Sequence, residues 1–412
     1  MLVAWNSPDC LLRGVRLTTA LILALALGCD RGETRESAIS NWITEREYRF
    51  GTTGDNDLVL QRPLVRADPL RNRILVLDPP SSQVSEWTPE GKLGFVVGRR
   101  GEGPGEFMLP QTLFIEVDGS FSVLESNGAR FTYFTASGDL VESMQGPGTR
   151  IGYQGFRISL AWPRHGVHLG IPRLPLDIEL GLKGNDPIYS QPLLRVRVSD
   201  DGEWLDPEPL LWLNVRNRVH FMPREDGGGS YGAQPFGDAD HVRFEPGKAM
   251  VVRTRQAPGA VELIEVDGGG DTLWHRRLRF EPTRLTSRII DDRVNRFLEA
   301  MEDYYVSVSR PELRDRYYEG LYKPEYLPAT DGPPVLAASG DVWIRTHEVS
   351  DTLRTHYVLR RGDSNESPRR VLLPEWLLVS DATATHVWGV WYDSMDVPHI
   401  VGRRLIPWDP IE

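Results

Sequence analysis

A shift of 47 residues lays the early part of this chain over itself. Gly51 falls on Gly98, Gly54 on Gly101, Pro63 on Pro110, Val76-Leu77 on Val123-Leu124, Trp87 on Phe134 and Gly91 on Gly138, without a gap. Glycines, a proline and apolar runs in phase at one period mark a chain built from copies of a unit that cannot bury its apolar face alone. In the first copy, short strand-forming runs lie at Leu64–Ala67, Arg73–Asp78, Val84–Thr88 and Leu93–Val97. They are parted by the turn signals Asp68-Pro69, Pro79-Pro80 and Pro89-Glu90-Gly91. The second copy places Asp118-Gly119 and Ser137-Gly138-Asp139 at the corresponding turns. Four short strands per copy predict the blade of a β-propeller.

The rest of the chain parses to the same template. A third unit uses Phe156–Ala161, Gly166–Ile171, Leu193–Ser199 and Pro209–Trp212. A fourth uses His241–Glu245, Ala249–Thr254, Val261–Val266 and Thr272–Phe280, and a fifth Pro334–Ala338, Asp341–Thr346, His356–Arg360 and Arg369–Leu373. The last has three strands, Leu377–Ser380, His386–Tyr392 and His399–Leu405. The 47-residue shift puts Thr44–Phe50 in the fourth-strand position, so the N-terminal strand is expected to complete the last unit and remove a raw sheet edge. The expected fold is all-β: a six-bladed β-propeller of four-stranded blades over residues 42–408, with its last blade closed by the N-terminal strand.

Three segments depart from the template: Pro172–Gln191, Leu213–Asp238 and Glu281–Pro333. Strands within a blade alternate in direction, so all three are expected on one face of the disc. The third reads as a helical insertion between blades 4 and 5, over residues 284–327. Ile290, Val294, Phe297 and Met301 make an apolar stripe of helical period with Ser287 as its cap, and Ser309-Arg310-Pro311-Glu312 opens a second helix running to about Gly320. Tyr304, Tyr305, Tyr317, Tyr318 and Tyr322 cluster there. They either glue the helices to the propeller or form a binding face, since long loops carry function and tyrosine suits interfaces.

The run Gly98-Arg99-Arg100-Gly101-Glu102-Gly103-Pro104-Gly105-Glu106-Phe107, followed by Pro110, Val117-Asp118-Gly119 and Gly138, resembles the NHL-type repeat. Over residues 51–145 the chain resembles bacterial six-bladed β-propeller lipoproteins with NHL-like repeats. A phosphate-cradling loop is the rival reading of these glycines, but Pro104 and the strand that follows, where such a loop needs a helix, oppose it.

The N-terminus carries an address. Arg13 and Arg16 precede the apolar run Leu17–Gly28, too short to span a bilayer comfortably, and Cys29 follows the small Gly28. Ala26-Leu27-Gly28-Cys29 resembles the bacterial lipoprotein signal, with Ala26 where leucine is commoner. That resemblance implies a signal peptide over residues 1–28, acylation of Cys29, a polar tether over 29–41 and a lipid-anchored protein of the bacterial cell envelope, facing the periplasm or the exterior. The other cysteine of the chain, Cys10, would leave with the signal, which suits an oxidising compartment.

Catalytic signatures are absent from the sequence. None of the nine histidines forms a metalloprotease pair: His347-Glu348 is followed by Val349-Ser350-Asp351. His165 and His168 flank a turn without a third ligand at a recognisable spacing. There is no nucleophile elbow and no Walker loop. The net charge of −11 opposes nucleic-acid binding. Arg361-Gly362-Asp363 reads as a hairpin turn, and Trp87, Trp274, Trp343 and Trp388 read as packing between blades. With no catalytic residue, metal ligand or cofactor implied, the expected function is non-enzymatic: a membrane-anchored binding or scaffolding module for a protein, peptide or glycan. The competing expectation is a metal-dependent hydrolase or lyase assembled in the central channel, where ligands from different blades leave no local motif.

Overall fold

The computed structural model describes residues 40–51, 58–125, 130–145, 152–153, 156–160, 167–172, 189–199, 201, 203–223, 229–254, 257–301, 309–363 and 365–407. Cys29, Tyr304, Tyr305, His165 and the insertion around 173–188 lie outside them.

Strand β1 (Asn41–Phe50) leads into two four-stranded meanders. The first is β2 (Leu64–Asp68), β3 (Arg73–Asp78), β4 (Gln83–Trp87) and β5 (Leu93–Val97); the second is β6 (Pro110–Ile115), β7 (Phe121–Glu125), β8 (Arg130–Phe134) and β9 (Leu140–Gln145). A third sheet has five strands, β10 (Gly152–Tyr153), β11 (Phe156–Leu160), β12 (Val167–Pro172), β13 (Ser190–Arg197) and β14 (Glu208–Asn214). A hairpin follows, β15 (Val219–Pro223) with β16 (Gly229–Ala233), and then a four-stranded meander: β17 (His241–Glu245), β18 (Lys248–Arg253), β19 (Ala260–Asp267) and β20 (Thr272–Arg279). Two helices come next, α1 (Ser287–Met301) and α2 (Arg310–Gly320). The remaining strands are β21 (Val335–Leu336), β22 (Asp341–Ser350), β23 (Leu353–Arg360), β24 (Arg369–Pro374), β25 (Leu378–Ala382), β26 (His386–Tyr392) and β27 (Pro398–Pro407).

These last seven strands and β1 form one eight-stranded sheet in the order β21-β22-β23-β24-β1-β27-β26-β25. Strand β1 runs antiparallel to β27 from Trp42 opposite Pro407 to Phe50 opposite Ile400, so the N-terminal strand completes the C-terminal meander. It also touches β24 in parallel at Asn41 and Trp42. The expected all-β, propeller-like arrangement is therefore present, as four separate blade-like sheets and this eight-stranded sheet.

The core is distributed between sheets. Leu75, Leu77 and Val84 meet Phe107, Leu113 and Phe121, joining the first sheet to the second. Phe114 and Phe131 meet Leu194 and Val196; Leu169 and Leu193 meet Val251; Met250 and Leu263 meet Val342 and Ile344. The two halves of the eight-stranded sheet pack on each other through Trp343 and Leu373 against Leu377 and Val387. Phe50, Trp388 and Ile400 then meet Val65, Val76 and Trp87, which returns the series to the first sheet. Each cluster removes several large side chains from water at about 1.5–3 kcal/mol apiece, so packing holds neighbouring sheets together.

The in-phase glycines have a backbone reason. Gly51 and Gly98 adopt φ of +91° and +87°, and Gly91 and Gly138 φ of +88° and +87°, a region that a side chain strains. At Gly98 a Cβ would also lie 2.3 Å from the ring of Phe107. The Gly-rich turn is held by protein groups: the Glu106 carboxylate accepts the Gly103 N–H at 2.9 Å, and Arg130 donates to the carbonyls of Glu102 and Glu106, each at 2.7 Å.

One reading of the insertions needs correction and another gains an element. Leu213–Asp238, which departs from the four-strand template, contains the hairpin β15–β16. The cap of α1 is Thr286, whose Oγ1 accepts the Ile289 N–H at 3.4 Å, and Ser287 lies inside the helix. The cap of α2 is Ser309, accepting from the Glu312 N–H, as the sequence suggests. Hairpin and helices pack together, Met222 and Phe236 against Ile290, Val294, Leu313 and Tyr317.

Candidate functional site in the central cavity

The first strands of the sheets converge. Residues of β2, β6, β17, β21 and β25 surround one cavity of about 560 Å³. This is within the usual range for ligand pockets, about 300–1,000 Å³. Its wall comes from strands far apart in sequence, the first strands of three meanders (β2, β6 and β17) together with β21 and β25 of the eight-stranded sheet. Leu70 and Val117, one repeat apart, stand exposed on turns at one mouth.

Two inner strands share a pattern. Strand β2 reads Leu64-Val65-Arg66-Ala67-Asp68, and β17 reads His241-Val242-Arg243-Phe244-Glu245. In each, the arginine lines the cavity and the acid two residues later sits at the strand end. Strands β2 and β17 belong to different sheets, so Arg66 and Arg243 reach the one cavity from separate sheets.

The acids are already taken. Asp68 accepts from Arg73 Nε at 3.0 Å and pairs with Arg71 at 3.2 Å. Glu245 is clamped by Arg361, one arm of which lies 3.1 Å from its Oε1. The cavity arginines are held by backbone carbonyls instead. Arg66 donates from Nε to Leu113 O at 3.4 Å and from Nη1 to Ser380 O at 3.3 Å, and Arg243 from Nε to Pro334 O at 3.2 Å. Among the described residues neither is ion-paired, and Arg66 Nη2 and both terminal nitrogens of Arg243 have no protein partner. Burial and the neighbouring Arg66 push the Arg243 pKa below its ordinary value. His241 is lowered by burial and then by Arg243.

One carboxylate lies close by. Asp381 is buried, and its oxygens accept the backbone N–H groups of Ala67 at 2.9 Å, Ala338 at 2.8 Å and Ala382 at 2.7 Å. It thereby staples β25 to β2 and to the turn after β21. Burial raises its pKa against the pull of Arg66 and these three donors. Its lone pairs are committed to structure.

The residues singled out in the sequence fall elsewhere. Tyr317 is buried, stacked on Phe297 at 3.7 Å and edge-on to His220 at 4.6 Å, so it is packing and not a presented surface. Tyr318 is exposed, with Lys323 Nζ 3.7 Å over its ring, and Tyr322 is half-buried. His168 is buried beside Trp204. Trp87, Trp274, Trp343 and Trp388 are all buried, as expected for packing. Gly362, with φ of +80°, makes the turn of Arg361-Gly362-Asp363, whose arginine joins neighbouring sheets. Among the described residues, no group of three or more His, Cys, Asp or Glu side chains is arranged to hold a metal ion.

No protein-family model and no curated protein matches the chain. Among solved structures, a protein of Bacteroides fragilis described as exported is 12% identical over 90% of this chain and 100% of its own, with a TM-score of 0.45. A member of the duf4221 family from Bacteroides vulgatus is 7% identical over 90% and 99%, with a TM-score of 0.41. Virginiamycin B lyase from Staphylococcus aureus is 11% identical over 84% and 95%, with a TM-score of 0.37.

Proposed function

We propose that the protein is a lipid-anchored, six-bladed β-propeller of NHL-like repeats that works outside the cytoplasm as a binding module. It recognises part of a peptide, protein or glycan in its central cavity. In this reading the eight-stranded sheet is two blades folded face to face, with β1 as the outer strand of one and a brief seam to the other. The six-membered cycle of apolar clusters supports that count. Cys29, outside the described residues, is the proposed acylation site, which would tie the propeller to the envelope through the 29–41 tether.

The observation that carries the binding reading is the cavity itself. A volume of about 560 Å³ walled by five inner strands is retained at the centre, where side chains of modest size would have filled it. The test is to plug it. Ala338 is exposed to the cavity, and Ala338→Trp should fill it without disturbing a packed interface. Native mass spectrometry of gently purified wild type should show a bound molecule that A338W lacks. No bound molecule on wild type, together with equal thermal-shift responses of both proteins to a broad ligand panel, would overturn the reading. Cys29→Ser should release the protein from the membrane fraction; wild type that takes up no acyl label would remove the anchor.

A further inference from the structure

We propose that the cavity recognises an oxyanion, a carboxylate or phosphate group, gripped by Arg66 and Arg243 from two different sheets. The proposal rests on the binding reading above and names the chemistry of its ligand. Three observations meet here. The two guanidiniums line one cavity and present terminal N–H groups that no described residue accepts. The acids that could have neutralised them, Asp68 and Glu245, are turned to Arg71, Arg73 and Arg361. The third acid nearby, Asp381, spends its oxygens on three backbone N–H groups.

A chain of net charge −11 has carboxylates to spare, so two unpaired arginines at its centre are not a shortage of acids. Arg66 is half-buried and Arg243 exposed, and like charges facing one cavity repel each other. An oxyanion removes that penalty. Guanidinium forks match the planar carboxylate and the tetrahedral phosphate through paired N–H···O bonds, and such charge-assisted bonds are about twice as strong as neutral ones. Leu64 and Leu70, exposed in the lining, offer apolar contact to the body of the molecule that carries the anion.

The test uses inorganic phosphate and succinate as probes, each titrated against the full mature chain at constant ionic strength with chloride as the balancing salt. Wild type should gain thermal stability with one or both probes, and the probe that acts tells phosphate from carboxylate. Arg243→Met and Arg66→Met should weaken binding at least about tenfold. Arg243→Lys, which keeps the charge and loses the fork, should fall between. Arg243→Met should also melt no lower than wild type in the absence of anions, because it removes a repelled cation; an arginine serving only to hold Pro334 O would give a clear loss. Should R66M fail to fold, the two Arg243 variants carry the test alone. No response of wild type to either probe, or an equal response in R243M, overturns the proposal. A neutral molecule found in the cavity would sink the anion inference and leave the cavity reading standing; indifference to Ala338→Trp would sink both.

Discussion

Arginines at the rim, where neighbouring sheets meet, and arginines on the inner strands live under opposite rules. Arg73, at the rim, touches Asp68 at 3.0 Å and Glu86 at 2.7 Å and donates to the carbonyls of Gly119 and Ala136 on the next sheet. Arg361 does the same between later sheets, with Glu245, Glu265 and Gly340 O. Burial works against the Arg361 charge, yet Glu245 and Glu265 hold its pKa above the ordinary value. Arg243 has burial and Arg66 against it and is pushed the other way. The rim uses cations as mortar between sheets. The centre keeps them available.

The largest effect should come from breaking the mortar. Arg73 and Asp68 are both buried, so Arg73→Met leaves Asp68 with the partly exposed Arg71 alone. Removing one partner of a buried pair costs about 3–5 kcal/mol, in contrast to the expected neutrality of Arg243→Met. Urea unfolding of the two variants reads the contrast directly. If both lose the same stability, rim and centre are not different in kind.

A buried histidine sharpens the comparison, since it can shed its proton where arginine cannot. His356 is enclosed in β23 among Arg345, Arg354 and Asp331, and burial lowers its pKa to about 4. The unfolded chain has the ordinary value near 6.5, so between those values the unfolded state binds a proton that the folded state refuses. Stability from this site is complete above about pH 6.5 and is lost as the pH falls towards 4, in total about 3 kcal/mol. Unfolding free energies measured from pH 7 to 4 should fall by that order beyond the loss seen in His356→Gln. Parallel curves for the two proteins would mean that the ring is wetter than its burial implies.

Legibility in the sequence follows the same division. The repeat turns could be read because Gly51, Gly91, Gly98 and Gly138 each answer a local backbone demand, and the strands because alternation is local too. Closure by β1 followed from the phase of the repeat. The hairpin β15–β16 was missed because its glycines carry a weak strand signal, and the cap of α1 slipped one residue between adjacent Thr286 and Ser287. Tyr317 and Tyr318 are neighbours with opposite burial, which composition cannot separate. The cavity arginines are 177 residues apart, and only the shared Val-Arg-x-acid pattern of β2 and β17 could have linked them, once both were known as inner strands.

The smallest effect should come from pairs that are neither buried nor central. Arg404 and Glu45 face each other at 3.3 Å across the seam of β1 and β27, with 56% and 62% of their side chains exposed. Water screens such a pair, and two long side chains must be ordered to make it, so a double-mutant cycle should return a coupling within about 0.5 kcal/mol of zero that disappears in 1 M salt. The seam is then held by its backbone ladder and by Phe50 against Trp87 and Trp388. A coupling several times larger would show that surface charge, and not packing, closes the ring, and the distinction between mortar and available cation would have to extend to the outer strands.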